Sequence, residues 1–300
     1  MQNNHAGTGN RSAIVAILLA VAALSFGDAL VKLLSAEAPI WQLFVLRSLI
    51  AIVMLLVVMR GRLRRLSSPG WVVLRSMLLT AMWITYYAAL PSTPLSLAAA
   101  GYYTIPLFLV LFSAPLLRER VGPRGWAAAC LGFAGVIVML RPDPADITVT
   151  NFLPVIAAAL YALAMIITRA RCQADTPLMM ALILNVVFVA TGAVVTAVLW
   201  ALAPSAEVVV AHPFLLAGWA ATDLRMIVAM AVLAVAVIIG ASASAFAYQT
   251  APPALIGVFD YAYLALAALW GFLLFAETPD LVGITGMAMI VGAGILVLKR

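Results

Sequence analysis

Hydrophobic residues come along this chain in unbroken blocks of roughly 20, each long enough to cross a hydrocarbon core of about 30 Å as a helix. Short polar stretches separate the blocks, some rich in arginine, as between Arg60 and Arg65, and others marked by Pro and Gly. The pattern predicts ten spanning helices at 13–34, 39–59, 71–90, 95–117, 124–140, 151–169, 178–200, 223–249, 253–275 and 280–298. Continuous apolar runs, in place of a two-residue alternation, argue against an outer-membrane barrel. The longest connection, 201–222, holds Pro204, Glu207, His212, Pro213 and Trp219 and is expected at the surface with an interfacial piece.

Composition sharpens this picture. Of 300 residues, 66% are hydrophobic and 9% charged, against roughly 25% charged in a soluble domain. A soluble enzyme and a disordered chain are excluded. Cys130 and Cys172 have no metal-type spacing and form no paired framework. The first apolar block is too long for a signal-peptide core and is expected to stay as an uncleaved span.

Charge placement sets an orientation. With the N-terminus inside, twelve of the 17 Lys and Arg residues fall on the inner side: Arg11, the Arg60–Arg65 cluster, Arg118, Arg120, Arg124, Arg169, Arg171, Lys299 and Arg300. Arg141 alone lies in an outer loop, and Lys32, Arg47, Arg75 and Arg225 lie in or at the ends of spans. Both termini are therefore expected in the cytoplasm. The net charge of +6 reads as a topology signal, since the basic residues flank spans and no base-stacking aromatics interleave them; no nucleic-acid partner is expected.

The two halves repeat. Shifting Pro94–Leu140 by 158 positions places Pro94 on Pro252, Leu97 on Leu255, Tyr103 on Tyr261, Glu119 on Glu277, Gly125 on Gly283 and Leu140 on Leu298. Each half has an odd number of spans, so the second must enter the membrane from the opposite side. The fold expected is an all-α membrane protein of two inverted five-helix repeats, 1–146 and 147–300.

The stretch Tyr86–Leu140 resembles the drug/metabolite transporter superfamily in its ten-helix EamA-type branch, through the proline of the fourth span, the Glu119 corner and the glycine-rich fifth span. Ala251–Leu298 repeats that pattern, and SFGDALVKLL and FVLRSL resemble the first two spans of the family. Within the superfamily the chain is most similar to the YddG-type amino-acid exporters of bacterial inner membranes. The resemblance implies a secondary transporter for a small solute, working as a monomer or homodimer in the lipid bilayer.

Intramembrane ionisable groups are costly and line cavities or pair with one another. Asp28 and Lys32 stand four apart on one face of the first span, in the order that favours an ion pair. Arg47 lies at a similar depth, so these three are expected to form one gating or ion-pair network in the outer half. Asp260 sits beside Tyr261 in the ninth span. The matched pair Tyr103 and Tyr261 is preferred over neighbouring tyrosines as the solute site, because consecutive residues on a helix cannot both face one cavity. Trp83 and Tyr87, Ser244 and Tyr248, and Tyr161 complete the candidate lining. Helix packing accounts for the glycines of the fifth and tenth spans, Gly132, Gly135, Gly283, Gly286, Gly292 and Gly294.

The only histidines, His5 and His212, lie outside the spans, so no catalytic constellation and no metal site can be assembled in the membrane. No phosphate-binding glycine loop is present and no cofactor is expected. The ninth and tenth spans lack internal Lys and Arg, which ranks phosphorylated solutes below neutral or zwitterionic ones. The expected activity is export of neutral or aromatic amino acids by alternating access. The alternatives are a proton-coupled exporter of organic cations or drugs and, from another class, a channel or membrane scaffold.

Overall fold

A computed structural model describes residues 3–61, 63–93, 95–117, 122–140, 149–278 and 280–298. Arg62, Pro94, Arg118, Glu119, Arg120, Arg141, Asp143, Asp146, Lys299 and Arg300, and the expected boundary at 146–147, lie outside the described residues. Among those described, every regular element is helical: α1 Asn3–Leu34, α2 Ile40–Val58, α3 Pro69–Ala89, α4 Leu95–Tyr102, α5 Ile105–Leu117, α6 Pro123–Leu140, α7 Leu153–Arg171, α8 Pro177–Leu202, α9 Ala206–Ala211, α10 Pro213–Leu216, α11 Leu224–Thr250, α12 Pro253–Asp260, α13 Ala262–Phe275 and α14 Leu281–Leu298.

Seven of the described helical stretches are long and apolar enough to cross a membrane, including 255–275, which runs through the α12–α13 break. In lipid, a helix is the way for a single segment to satisfy its own backbone polar groups. The chain is a multi-pass membrane protein. Large apolar side chains such as Val57 (71% exposed) and Leu281 (81% exposed) cover its outer faces, where lipid replaces water as the neighbour. Helix starts follow local chemistry: Thr176 accepts from the Met179 N–H ahead of Pro177, and Asp223 accepts from the Met226 N–H at 2.7 Å.

Two of the expected spans are broken. The stretch 95–117 divides into α4 and α5 at Tyr103–Thr104, and 253–275 divides into α12 and α13 at Tyr261. Pro106 explains the first break, since it has no N–H to give to the Tyr102 carbonyl four residues back. Pro115 sits inside α5 without dividing it. The second break falls at the residue that repeat matching pairs with Tyr103, and there the Tyr261 carbonyl accepts from the Leu264 N–H.

Helix contacts come in related pairs. α1 packs along α11 and α7 along α3; α2 packs on α8 and α6 on α14. Further contacts join α5 to α7 and α13 to α1, and α2 to α11 and α8 to α3. The α6–α14 contact is close at Gly135, where a Cβ would lie 2.8 Å from the Gly286 carbonyl oxygen. Gly292 differs from the packing expectation: nothing lies within 4 Å of where its Cβ would stand. The 201–222 connection folds as α9 and α10 against one end of the bundle. There Trp41 Nε1 donates to the Leu215 carbonyl at 2.6 Å, and Gln42 both donates to and accepts from Ala220.

Candidate functional site

All eight tyrosines of the chain lie in one buried cluster. Tyr102, at the end of α4, touches the rings of Tyr86, Tyr103, Tyr161 and Tyr263 at centroid distances of 5.0, 5.7, 5.8 and 6.3 Å. Tyr103 meets Tyr261 at 6.0 Å and Tyr263 at 5.0 Å, Tyr161 meets Tyr248, and Tyr86 meets Tyr87. The two helix breaks supply Tyr102, Tyr103, Tyr261 and Tyr263, while α3, α7 and α11 supply the other four. Offset and tilted rings at these separations suit the charge distribution of aromatic faces and edges.

The cluster takes in Tyr102 as well as Tyr103. α4 ends at Tyr102, the Tyr103 N–H still donates to the Ala99 carbonyl, and both rings pack among the other tyrosines, Tyr102 on Tyr86 and Tyr161 and Tyr103 on Tyr261 and Tyr263. Tyr86 and Tyr263 belong to the cluster as well, although sequence spacing did not select them. The signal that could have found them is the confinement of every tyrosine in the chain to spans three, four, six, eight and nine.

Two carboxylates bracket the rings. Asp28 of α1 is 2% exposed; its Oδ1 accepts from the Tyr87 hydroxyl at 3.1 Å and its Oδ2 from the Tyr263 hydroxyl. The Tyr86 and Tyr263 hydroxyls share a bond of 3.1 Å. Asp260, also 2% exposed, accepts from the Tyr248 hydroxyl. Each buried carboxyl group is thus hydrogen-bonded to phenolic hydroxyls.

Of the expected Asp28–Lys32–Arg47 network, Asp28 and Arg47 interact about Tyr87, whereas Lys32 pairs elsewhere. Lys32 Nζ pairs with Glu277 Oε1 at 2.7 Å and donates to the Thr93 carbonyl at 2.9 Å, while Glu277 Oε2 accepts from the Leu95 N–H. The reason is reach: the Ala276 turn, at φ 54°, brings Glu277 back over α13, where its own N–H donates to the Gly271 carbonyl. A half-buried acid at the bundle end offers Lys32 a partner with less desolvation than the deeply buried Asp28. Arg47 instead lies over the rings of Phe188 and Phe44 at 4.6 and 5.0 Å and near Trp83 at 6.0 Å. Trp83 and Tyr87 do share a face, with rings 4.8 Å apart. Ser244 is buried with its hydroxyl beside that of Tyr161.

The opposite end of the bundle is laced by a second set of polar contacts. Arg75, 1% exposed, donates through Nε to Thr168 Oγ1 at 2.6 Å. Gln249 donates to the Cys172 and Asp175 carbonyls at 2.6 and 2.8 Å, and Asp175 accepts from the Ser67 and Ser68 N–H groups. Arg169 donates to the Gln249 carbonyl. The tyrosine cluster lies between this lacing and the Lys32–Glu277 pair. Among the described residues, no group of three or more His, Cys, Asp and Glu side chains forms a metal-type cluster.

Known proteins with similar sequences are transporters. Residues 11–141 match the EamA-like transporter family. A riboflavin transporter of Rhizobium johnstonii is 29% identical over 77% of this chain and 70% of its own length, and one of Brucella anthropi is 25% identical over 87% and 86%. An S-adenosylmethionine uptake transporter of Rickettsia prowazekii is 27% identical over 51% of this chain and 53% of its own. A solved crystal structure aligns over 97% of each chain with a TM-score of 0.70 at 22% identity, so it shares the fold. These relatives are named for a vitamin and a nucleoside derivative, and the expected likeness to amino-acid exporters finds no support in their names. Residues 11–141, somewhat under half of the chain, are thus similar to the EamA-like transporter family, and the curated relatives it resembles are themselves named as transporters.

Proposed function

We propose that this chain is an alternating-access carrier for a small aromatic metabolite in the bacterial inner membrane, and that the tyrosine cluster is its solute site. The observation that carries the reading is the convergence of all eight tyrosines on two helix breaks whose centres, Tyr103 and Tyr261, are 158 positions apart. Rings give flat solutes a face to stack on, and their hydroxyls, with Asp28 and Asp260, give polar edges a partner.

On this reading the molecule is two inverted five-helix halves, 1–146 and 147–300, with α4–α5 and α12–α13 each counted as one broken span. The contact pairs support it. Exchanging each helix for its counterpart five spans on turns α1–α11 into α7–α3 and α5–α7 into α13–α1, and returns α2–α8 and α6–α14 to themselves. Broken helices at the repeat interface are where such carriers place their sites. The arginine distribution sets both termini in the cytoplasm, with the Arg75 lacing on that side and the Lys32–Glu277 pair on the outer side. Transport then requires the two lacings to open in turn.

Riboflavin is the first solute to test, since the tricyclic ring of that vitamin suits a stacking site and the relative aligned over 87% of this chain carries its name. S-adenosylmethionine, with its adenine ring, follows. Export of neutral or aromatic amino acids is a second reading, favoured by one observation: Asp28 bonds to Tyr87, and Arg47 sits over Phe44 and near Trp83, both of which touch Tyr87. An acid and a base about one tyrosine suit an ammonium and a carboxylate.

Counterflow in proteoliposomes tests the proposal. Vesicles loaded with unlabelled riboflavin, S-adenosylmethionine or phenylalanine are given a trace of the same labelled solute outside. Transient accumulation without an ion gradient is expected for at least one of them. Flux without accumulation would point to a channel, and no flux with any aromatic solute would overturn the reading.

A further inference from the structure

We infer that Arg47 is a carboxylate-binding group at the edge of the solute site, so that of two otherwise matched aromatic solutes the carrier binds the one bearing a carboxylate more tightly. The inference rests on the proposed solute site. Arg47 is 1% exposed, and its Nε and both Nη atoms make no hydrogen bond of ordinary geometry, although the Tyr87 hydroxyl lies close to the guanidinium. The rings of Phe188, Phe44 and Trp83 surround it. Cation–π contact eases the burial of the charge but occupies none of the guanidinium N–H donors. The planar fork matches the two oxygens of a carboxylate through parallel N–H···O bonds.

Other unpaired atoms occur in the same part of the bundle. Thr80 Oγ1 and Asn185 Oδ1 are buried without partners, each three residues before a ring of the Arg47 cage, Trp83 and Phe188, and so on the same helix faces. The cage also adjoins the solute site, because Trp83 and Phe44 touch Tyr87 at 4.8 and 6.2 Å. Asp28 interacts with Arg47 electrostatically but does not occupy its donors, since the two Asp28 oxygens accept from Tyr87 and Tyr263. An aromatic solute stacked on the tyrosines can therefore set its carboxylate on Arg47, leaving the cage rings in place. Arg47 acts here as a specificity-determining residue.

The test compares 3-phenylpropionate with its neutral amide, two probes that differ only in the carboxylate. Their dissociation constants are measured by titration calorimetry on the purified full chain in nanodiscs. Wild type is expected to bind the acid at least tenfold more tightly than the amide. Arg47→Met is expected to lose that preference while still binding the amide, and Arg47→Lys, which keeps the charge but not the fork, to fall between. Equal binding of acid and amide by wild type, or an acid preference that survives in Arg47→Met, would overturn the inference alone. Binding of neither probe would overturn the aromatic solute site together with it. The wild-type ratio decides the matter even where a variant fails to fold.

Discussion

Lys32 Nζ stands 2.7 Å from Glu277 Oε1, although Asp28 lies one turn away on the same helix. The choice ties α1 to the α13–α14 connection and, through the Leu95 N–H on Glu277 Oε2, to the start of α4. One carboxylate thereby joins three parts of the bundle end.

Breaking that pair from either side is expected to cost about 1–3 kcal/mol, the penalty of a half-buried charge left without its partner. Lys32→Met and Glu277→Gln should each lower the melting temperature of the purified protein, and the double variant should lose less than the sum. Additive losses would mean that the two residues do not interact.

Tyr102 touches four other tyrosine rings, one more than Tyr103. Tyr102→Ala is accordingly expected to reduce solute flux by at least tenfold, and more than Tyr103→Ala does, with protein yield and monodispersity as the control on folding. A larger loss from Tyr103→Ala would restore the preference drawn from sequence matching.

The gap between those two tyrosines shows how far the sequence could be read. Apolar block length is a direct consequence of bilayer thickness, so the helix positions were legible, from Leu34 closing the first to Leu281 opening the last. The breaks were not: Pro106 signals a bend or a break without deciding between them, and Tyr261 has no proline near enough to mark the second. Repeat matching favours Tyr103 over Tyr102, whereas both rings pack in the cluster. Lys32 takes a partner that its spacing from Asp28 does not show, because i to i+4 spacing sees only its own helix while Glu277 arrives from 245 residues away.

At the α6–α14 contact, Gly135→Val is expected to destabilise by about 1–3 kcal/mol, since added bulk forces closely packed helices apart. The Cβ alone would meet the Gly286 carbonyl oxygen at 2.8 Å, whereas the corresponding position at Gly292 is open. Gly292→Ala should leave thermal stability unchanged. Equal behaviour of the two variants would contradict this packing.

Burial pushes the Cys172 thiol up from its ordinary value, so less thiolate is present at any given pH than on a free cysteine. In a Cys130→Ser background, N-ethylmaleimide should label Cys172 slowly at neutral pH and faster as pH rises. Gln249 holds the segment through the Cys172 and Asp175 carbonyls. Gln249→Ala should speed labelling severalfold; an unchanged rate would show that these bonds do not keep that end closed.

The most direct test of the central claim, that the tyrosines at the two helix breaks are the solute site, is equilibrium binding of riboflavin to purified wild type and to Tyr102→Ala. Wild type is expected to bind saturably, and a variant that remains folded at least tenfold more weakly. Undiminished binding by the folded variant would place the solute elsewhere.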